Sequence, residues 1–289
     1  MSNKETESND SIQYCSPNVK NGINLENHFT CFELNELVEI AKSYNKFIDK
    51  DNICNEKKCV TGEKININTK NKKQLWDDIY NRLQYLCRYE WCWLNLDFVN
   101  EINDEEMKEK ILYFTFKPKM TETRYAWLST KDINYVIQQY EKQHPYFKYI
   151  GAHPVDYFEI TKWEISQFKT HDLIGIVFNL DTHDKSGSHW VGFMIDNINR
   201  TIEYFDSAGE PPTKHIKNFI KTLIKTKEFK HYKFKRNKKI HQKENSECGV
   251  YSINFIRERV NGKNFEEITD NIINDKIMNR MRDLFFRPI

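Results

Sequence analysis

Residues 173–180, Leu-Ile-Gly-Ile-Val-Phe-Asn-Leu, are apolar in succession up to Asn179. A run this short without polar alternation is most simply a strand buried on both faces, and such a strand needs cover on each side of its sheet. Two further strand-like runs follow, Trp190–Asp196 and Thr201–Phe205, separated only by residues 197–200. Two such runs across a short polar loop form a hairpin. With the turn centred near residues 198 and 199, position 206 lies across the ladder from about position 191. Cross-strand and diagonal neighbours sit only about 5 to 8 Å apart, so Asp206 comes within reach of His189.

The elements around these strands are predicted by period and by caps. Ser129 and Asp132 have capping-box spacing ahead of Ile133, Val136, Ile137 and Tyr140, and Pro145 stops that helix near His144. After the hairpin, Pro211-Pro212 ends the loop, and Ile216, Phe219, Ile220, Leu223 and Ile224 form an apolar helix face. A strand over residues 231–236 follows. Val250, Ile253, Ile256 and Val260 predict an amphipathic helix with Cys248 in its first turn and Asn245 and Ser246 as capping residues ahead of it. Asn264 and Glu267 have capping-box spacing, and Asp275 is expected to cap the last helix. The expected fold class is α+β, with a mostly antiparallel central sheet flanked by helices. Residues 121–289 form this catalytic domain. Residues 26–120 read as a helical arm, with one apolar face from Leu34, Leu37, Val38, Ala41, Tyr44 and Ile48 and another from Leu75, Ile79, Leu83 and Leu86. Residues 1–25 are polar and are expected to stay disordered by themselves.

Three side chains carry chemistry. Unpaired N–H groups at a helix N-terminus favour a thiolate, which makes Cys248 a candidate nucleophile. A thiol needs a base, and the base needs a group that fixes its ring. His189 and Asp206 supply both roles. A lone cysteine is more often a small buried hydrophobe, and Asp206 in Asp-Ser-Ala-Gly is more often a turn residue. Their joint arrangement shifts the reading towards catalysis.

Gly-Ser-His189-Trp190, the seventeen-residue step to Tyr-Phe-Asp206-Ser, and Gln242-x5-Cys248-Gly resemble the SUMO-protease-like (adenain-like) cysteine peptidases. The likeness is greatest to the polyprotein-processing branch of large DNA viruses, and it covers residues 121–289 well. It implies a papain-like thiol protease with Cys248 as nucleophile, His189 as base and then acid, Asp206 as orienting carboxylate and Gln242 as oxyanion donor. It further implies that Trp190, with Asn179, binds substrate and narrows the channel so that Gly-Gly-type sequences fit. The implied substrates are viral core or capsid polyproteins, cut during virion maturation, in the virion and the host cytoplasm. The alternative is a SUMO or ubiquitin-like isopeptidase acting on host conjugates. The reading needs no cofactor.

Composition adds bounds. The formal net charge of +2 gives no global polyanion signal. Locally, residues 214–243 hold twelve Lys or Arg and one acidic residue, Glu228, a solvated face or a contact for nucleic acid or an acidic partner. Six of seven cysteines, Cys15, Cys31, Cys54, Cys59, Cys87 and Cys92, precede the catalytic part. The start lacks the apolar core of a signal peptide and no run approaches the ~20 residues of a membrane helix, so free thiols in a reducing compartment are expected. Zinc at Cys54-x4-Cys59 and Cys87-x4-Cys92 is disfavoured because the gaps are long and no histidines flank them. His183 with Asp181 and Asp184 likewise reads as a solvated loop rather than a metal site.

Overall fold

In a computed structural model, which describes residues 13–20, 29–49, 63–120 and 123–288, the apolar run becomes the strand Leu173–Asn179 of a five-stranded sheet. The chain divides into two units, residues 1–117 and residues 118–289, and the sheet belongs to the second.

In the first unit, α1 (Leu34–Asp49) buries Leu37, Ile40, Ala41 and Tyr44, and α2 (Lys72–Leu83) buries Leu75, Trp76, Ile79 and Leu83. Each set recurs at spacings of three and four, the signature of one helix face against a core. Trp93 stacks on Phe32 within that core, at 5.6 Å between ring centroids. The cysteines depart from expectation. Cys15 and Cys31, with Cα atoms 5.3 Å apart, form a disulfide, and Cys87 and Cys92, at 5.5 Å, form another. Both separations lie in the range that a bridge requires. Free thiols are therefore wrong for these four, because packing delivers them in pairs, and Cys87 and Cys92 are not left as metal ligands. Cys54 and Cys59 lie outside the described residues. Part of the N-terminal stretch expected to be disordered is built into this unit: Cys15 is buried, and the Ser16 N–H donates to the Thr115 carbonyl at 3.0 Å.

The second unit opens with α3 (Thr130–Gln143), whose capping box between Ser129 and Asp132 is formed, and continues into β1 (Phe147–Pro154). Then come β2 (Leu173–Asn179), β3 (Trp190–Asp196), β4 (Thr201–Phe205), α4 (Lys214–Ile224) and β5 (Lys233–Arg236). The chain ends with α5 (Cys248–Val260), α6 (Phe265–Asp270), α7 (Asp275–Arg280) and α8 (Arg282–Phe285). Strand order follows the chain from β1 to β5. The central three strands are antiparallel as expected, while β1 runs parallel to β2 and β5 parallel to β4. The second parallel pair arises because α4 crosses over between β4 and β5, and a crossover returns the chain in its original direction. The strand β1 has no clear period in the sequence: a register shift at Gly151, whose φ is +133°, interrupts its alternation.

Burial on both sheet faces is realised with period two. Ile174, Ile176 and Phe178 of β2 join Phe193 and Ile195 of β3 against Ile216, Phe219 and Leu223 of α4. Leu173, Val177, Met194 and Phe205 face the other way, towards Ile133 and Ile137 of α3 and Val250, Phe255 and Ile256 of α5. The helix α5 is not amphipathic as expected: every residue in it except Arg257 is buried. It approaches β3 closely where Gly192 leaves room, and a Cβ there would lie 2.5 Å from Phe255 Cδ1. At its C-terminal end the buried Arg259 guanidinium pairs with Asp196 at 2.6 Å and Glu203 at 2.7 Å, tying the helix to β3 and β4.

The substitution Gly192→Ala forces Phe255 off its ring stack with Phe205. It should lower unfolding free energy by about 1–3 kcal/mol, the usual range for overpacking a tight core. Urea denaturation of both proteins measures this, and an unchanged midpoint would mean that α5 can yield at no cost.

Candidate active site

The hairpin turns at residues 197–200, with Asp196 paired to Thr201 and Gly192 to Phe205. This is the predicted register. It carries His189, just before β3, alongside Asp206, just after β4, and the imidazole Nε2 donates to Asp206 Oδ1 at 2.7 Å. The same imidazole lies near enough to Cys248 for that residue to act on its charge. Burial alone would depress the His189 pKa, but the bonds and charges of Asp206 and Cys248 outweigh it and raise the value to about 10.

Asp206 is 1 % exposed and held from several directions. Its Oδ1 also accepts from the Ala208 N–H at 2.8 Å, and its Oδ2 from the Tyr204 hydroxyl at 3.4 Å. The Asp206 N–H donates to Asn237 Oδ1 at 2.9 Å, and Asn237 Nδ2 donates back to the Asp206 carbonyl at 2.6 Å. The Gly209 N–H closes a turn onto the same carbonyl at 2.8 Å. Asp206 is thus a turn residue and the histidine's partner together. The clamp by Asn237 has no sequence signal, since that residue sits inside the basic run.

Gln242 lies on a segment pinned at both flanks. The His241 and Gln242 N–H groups donate to the Ser207 carbonyl at 2.8 and 2.9 Å, and Lys243 and Glu244 donate to Asp275 Oδ2 at 2.9 and 3.3 Å. Asp275 therefore does not cap α7 as expected; Asn274 does, accepting from the Ile277 N–H. The Gln242 side chain accepts from Ser207 Oγ at 2.6 Å and donates to the Glu244 carbonyl at 2.6 Å.

Cys248 is the first residue of α5 and 3 % exposed, against 23 % for the His189 side chain. Asn245 and Ser246 do not cap this helix. Glu247 occupies the cap position, and its side chain makes no cap bond. Cys248 is also the free cysteine among the described residues. Gly249 lets the segment before α3 close over it, since a Cβ there would meet the Leu128 Cβ at 3.0 Å.

Trp190 is buried, and its indole N–H donates to the Leu128 carbonyl at 2.9 Å. Beside it lies a cavity of about 460 Å³ whose lining includes Trp127, Asn179, His183, Gly187 and Trp190. Asn179 pairs with Trp190 across the β2–β3 ladder and accepts from the Asp181 and Ser188 N–H groups at 3.0 and 3.2 Å. It thereby shapes the loop that delivers His189. Trp127, 53 % exposed on the cavity wall, has no sequence signal, because a tryptophan two residues ahead of a capping box has no period to mark it. His183 bonds Asp156 at 2.7 Å rather than Asp181 or Asp184. No group of residues fit to hold a metal ion occurs among the described residues. None of their helices is long and apolar enough to cross a membrane.

Comparison with known proteins places these features. The model of the Ulp1 protease family, C-terminal catalytic domain, matches residues 102–289. A protein of Acanthamoeba polyphaga mimivirus named as a thiol protease is 36 % identical over 270 residues, 89 % of each chain. The SUMO-1 cysteine protease of African swine fever virus is 26 % identical over 188 residues, 61 % of this chain and 68 % of that one. The crystal structure of an African swine fever virus protease in selenomethionine form superposes with a TM-score of 0.63 at 18 % identity, over 98 % of this chain and 97 % of that one, which shows the shared fold. With a sheet, flanking helices and a family match that spans both His189 and Cys248, this chain belongs to the Ulp1 family of cysteine proteases.

Proposed function

We propose that Cys248, His189 and Asp206 act as nucleophile, general base and acid, and orienting carboxylate in peptide-bond hydrolysis. The observation that carries this is that one imidazole bonds Asp206 at 2.7 Å and has its charge favoured by both Asp206 and Cys248. The thiolate adds to the scissile carbonyl carbon, and the C–N bond breaks as His189 passes its proton to the leaving nitrogen. Water, deprotonated by His189, then attacks the thioester; the acid is released and the thiol reformed. Charge on the carbonyl oxygen is met by the Cys248 N–H and the Gln242 amide, whose placement Ser207 fixes.

Cys248 is nearly buried in one cluster with Leu128 and Trp190, which favours a slender chain as the one that reaches it. That supports Gly-Gly-type sequences as the preferred cut sites. The substrates in this reading are core or capsid polyproteins of a large DNA virus, processed as the virion matures, with the enzyme in virion and host cytoplasm. The first unit serves as an arm for docking or support. Of the basic run, Lys235 and Lys239 are paired with Glu266 and Asp270, and the outward lysines of α4 are the surface that a nucleic acid or acidic partner would meet.

An aldehyde or vinyl probe ending in Gly-Gly should label Cys248 and no other cysteine. Cys248→Ala should abolish turnover, His189→Ala should reduce it on the order of 10²- to 10⁴-fold, and Gln242→Ala on the order of 10²- to 10³-fold. Labelling that does not require His189 would sink the proposed division of labour. Cleavage of a viral precursor but not of SUMO or ubiquitin precursors separates the polyprotein reading from the isopeptidase one.

The raised His189 pKa sets the pH response. From an unfolded value of 6.5, the folded value rises to about 10. Its stabilising contribution is complete below about 6.5 and disappears as pH climbs towards 10. Turnover should hold through neutral pH and fall on the alkaline side near 10, and Asp206→Asn should move that fall to lower pH. A pH–rate profile in which Asp206→Asn leaves the alkaline limb in place would contradict the assignment.

A further inference from the structure

Glu247, the residue before the nucleophile, stands at the cap position of α5 and yet makes no capping bond. Asn71, Ser129, Asn264 and Asn274 each cap their own helices through a side-chain oxygen. The Glu247 carboxylate is instead drawn away. Its Oε2 accepts from Arg282 Nε at 3.0 Å and its Oε1 from Asn279 Nδ2 at 3.0 Å. Both members of the ion pair are out of solvent, Glu247 at 1 % and Arg282 at 0 % exposure. Arg282 Nη2 also donates to the Ala126 carbonyl at 3.0 Å and the Ser246 carbonyl at 3.1 Å, so one guanidinium ties the segment before Cys248 to the segment before α3. The Glu247 carbonyl still accepts the first intrahelical bond, from the Tyr251 N–H at 2.9 Å. The first-turn N–H groups beside Cys248 consequently receive no acceptor from the cap side chain and keep the partial positive charge of a helix N-terminus.

We propose that Glu247 and Arg282, supported by Asn279, are positioning residues of the protease. Together they keep the cap carboxylate off the first-turn N–H groups, so that those donors remain aimed at the oxyanion, and they neutralise the carboxylate next to the thiolate. This inference rests on Cys248 being the nucleophile. It adds a function to the C-terminal helices α7 and α8, which contribute no reacting group.

The two halves of the pair predict different outcomes in one measurement. Glu247→Gln removes a negative charge beside Cys248 and frees an amide oxygen to swing onto the first turn. It should lower kcat for peptide hydrolysis by about tenfold or more with KM nearly constant, because a donor used only in the transition state is lost. Its rate of alkylation by iodoacetamide, a reaction with no carbonyl oxyanion, should be unchanged or faster. Arg282→Met leaves the carboxylate uncompensated next to the thiol, and should slow alkylation and hydrolysis alike, each by about tenfold or more. Asn279→Ala, which alters no buried charge, should give a smaller loss of kcat and little change in alkylation. Glu203→Gln is the structural control: it strikes an equally buried arginine pair at the far end of α5, away from Cys248. Each variant is assayed as full-length protein at a temperature where its thermal melt shows it folded.

Parallel falls in hydrolysis and alkylation for Glu247→Gln, or a loss no larger than that of Glu203→Gln, would overturn the proposal and leave the pair a structural tie. Should Arg282→Met not fold, the sign of the Glu247→Gln alkylation change and the Asn279→Ala kinetics decide alone. Retained hydrolysis in Cys248→Ala would refute the nucleophile itself, a separate outcome.

Discussion

The helix α5 has almost no surface, and the position of Cys248 depends on that constraint. A helix buried on nearly every side cannot slide or roll without opening voids or clashes, because protein interiors are packed as densely as organic crystals. Gly192 sets how near it comes to the sheet, through the close contact with Phe255. Charged pairs fix it at its ends, Arg259 with Asp196 and Glu203 at one, Glu247 with Arg282 at the other. Pairs of this kind add little net stability over an apolar substitute, since desolvation consumes most of their attraction. Their directional bonds define position, and the thiol inherits that definition.

The histidine is fixed by a different element, the hairpin. His189 and Asp206 come from the two ends of paired strands, and the carboxylate has lost almost all contact with water. Such a buried acceptor favours the charged imidazole, although burial by itself disfavours it. The competition is won by geometry: Asn237, Ala208 and Tyr204 hold Asp206 so that one oxygen faces the ring. Helix and hairpin thus arrive separately at one point, where the ring bonds the carboxylate and feels the thiol.

Much of this was legible in the sequence where a local rule has one outcome. Counting residues across the turn placed 206 opposite 191, the observed ladder, because side-chain direction in a strand has a strict period of two. The caps at Ser129 and Asn264 followed from spacing alone. Where local rules have several outcomes, tertiary packing decided. Asn245, Ser246 and Asp275 are good capping types, but the 242–247 segment is tied instead to Ser207, Asp275 and Arg282, none of them sequence neighbours. The amphipathic reading of α5 failed because Asn254, Glu258 and Arg259, polar by type, are covered by other elements. The bridges Cys15 to Cys31 and Cys87 to Cys92 were missed because compartment, inferred from composition, says nothing of which thiols meet.

The hairpin turn also bears on how a lineage carrying this centre can change. Residues 197–200 form an exposed corner of the kind that tolerates length variation in most sheets. A residue added there lengthens the loop and leaves the ladder alone, whereas one added within Thr201–Phe205, unless absorbed by a bulge, would send Asp206 to the opposite side of the sheet from the ring it faces. Length changes are therefore filtered by place, passing at the corner and failing a few residues further on, a rule on heredity written by the pleat of a strand.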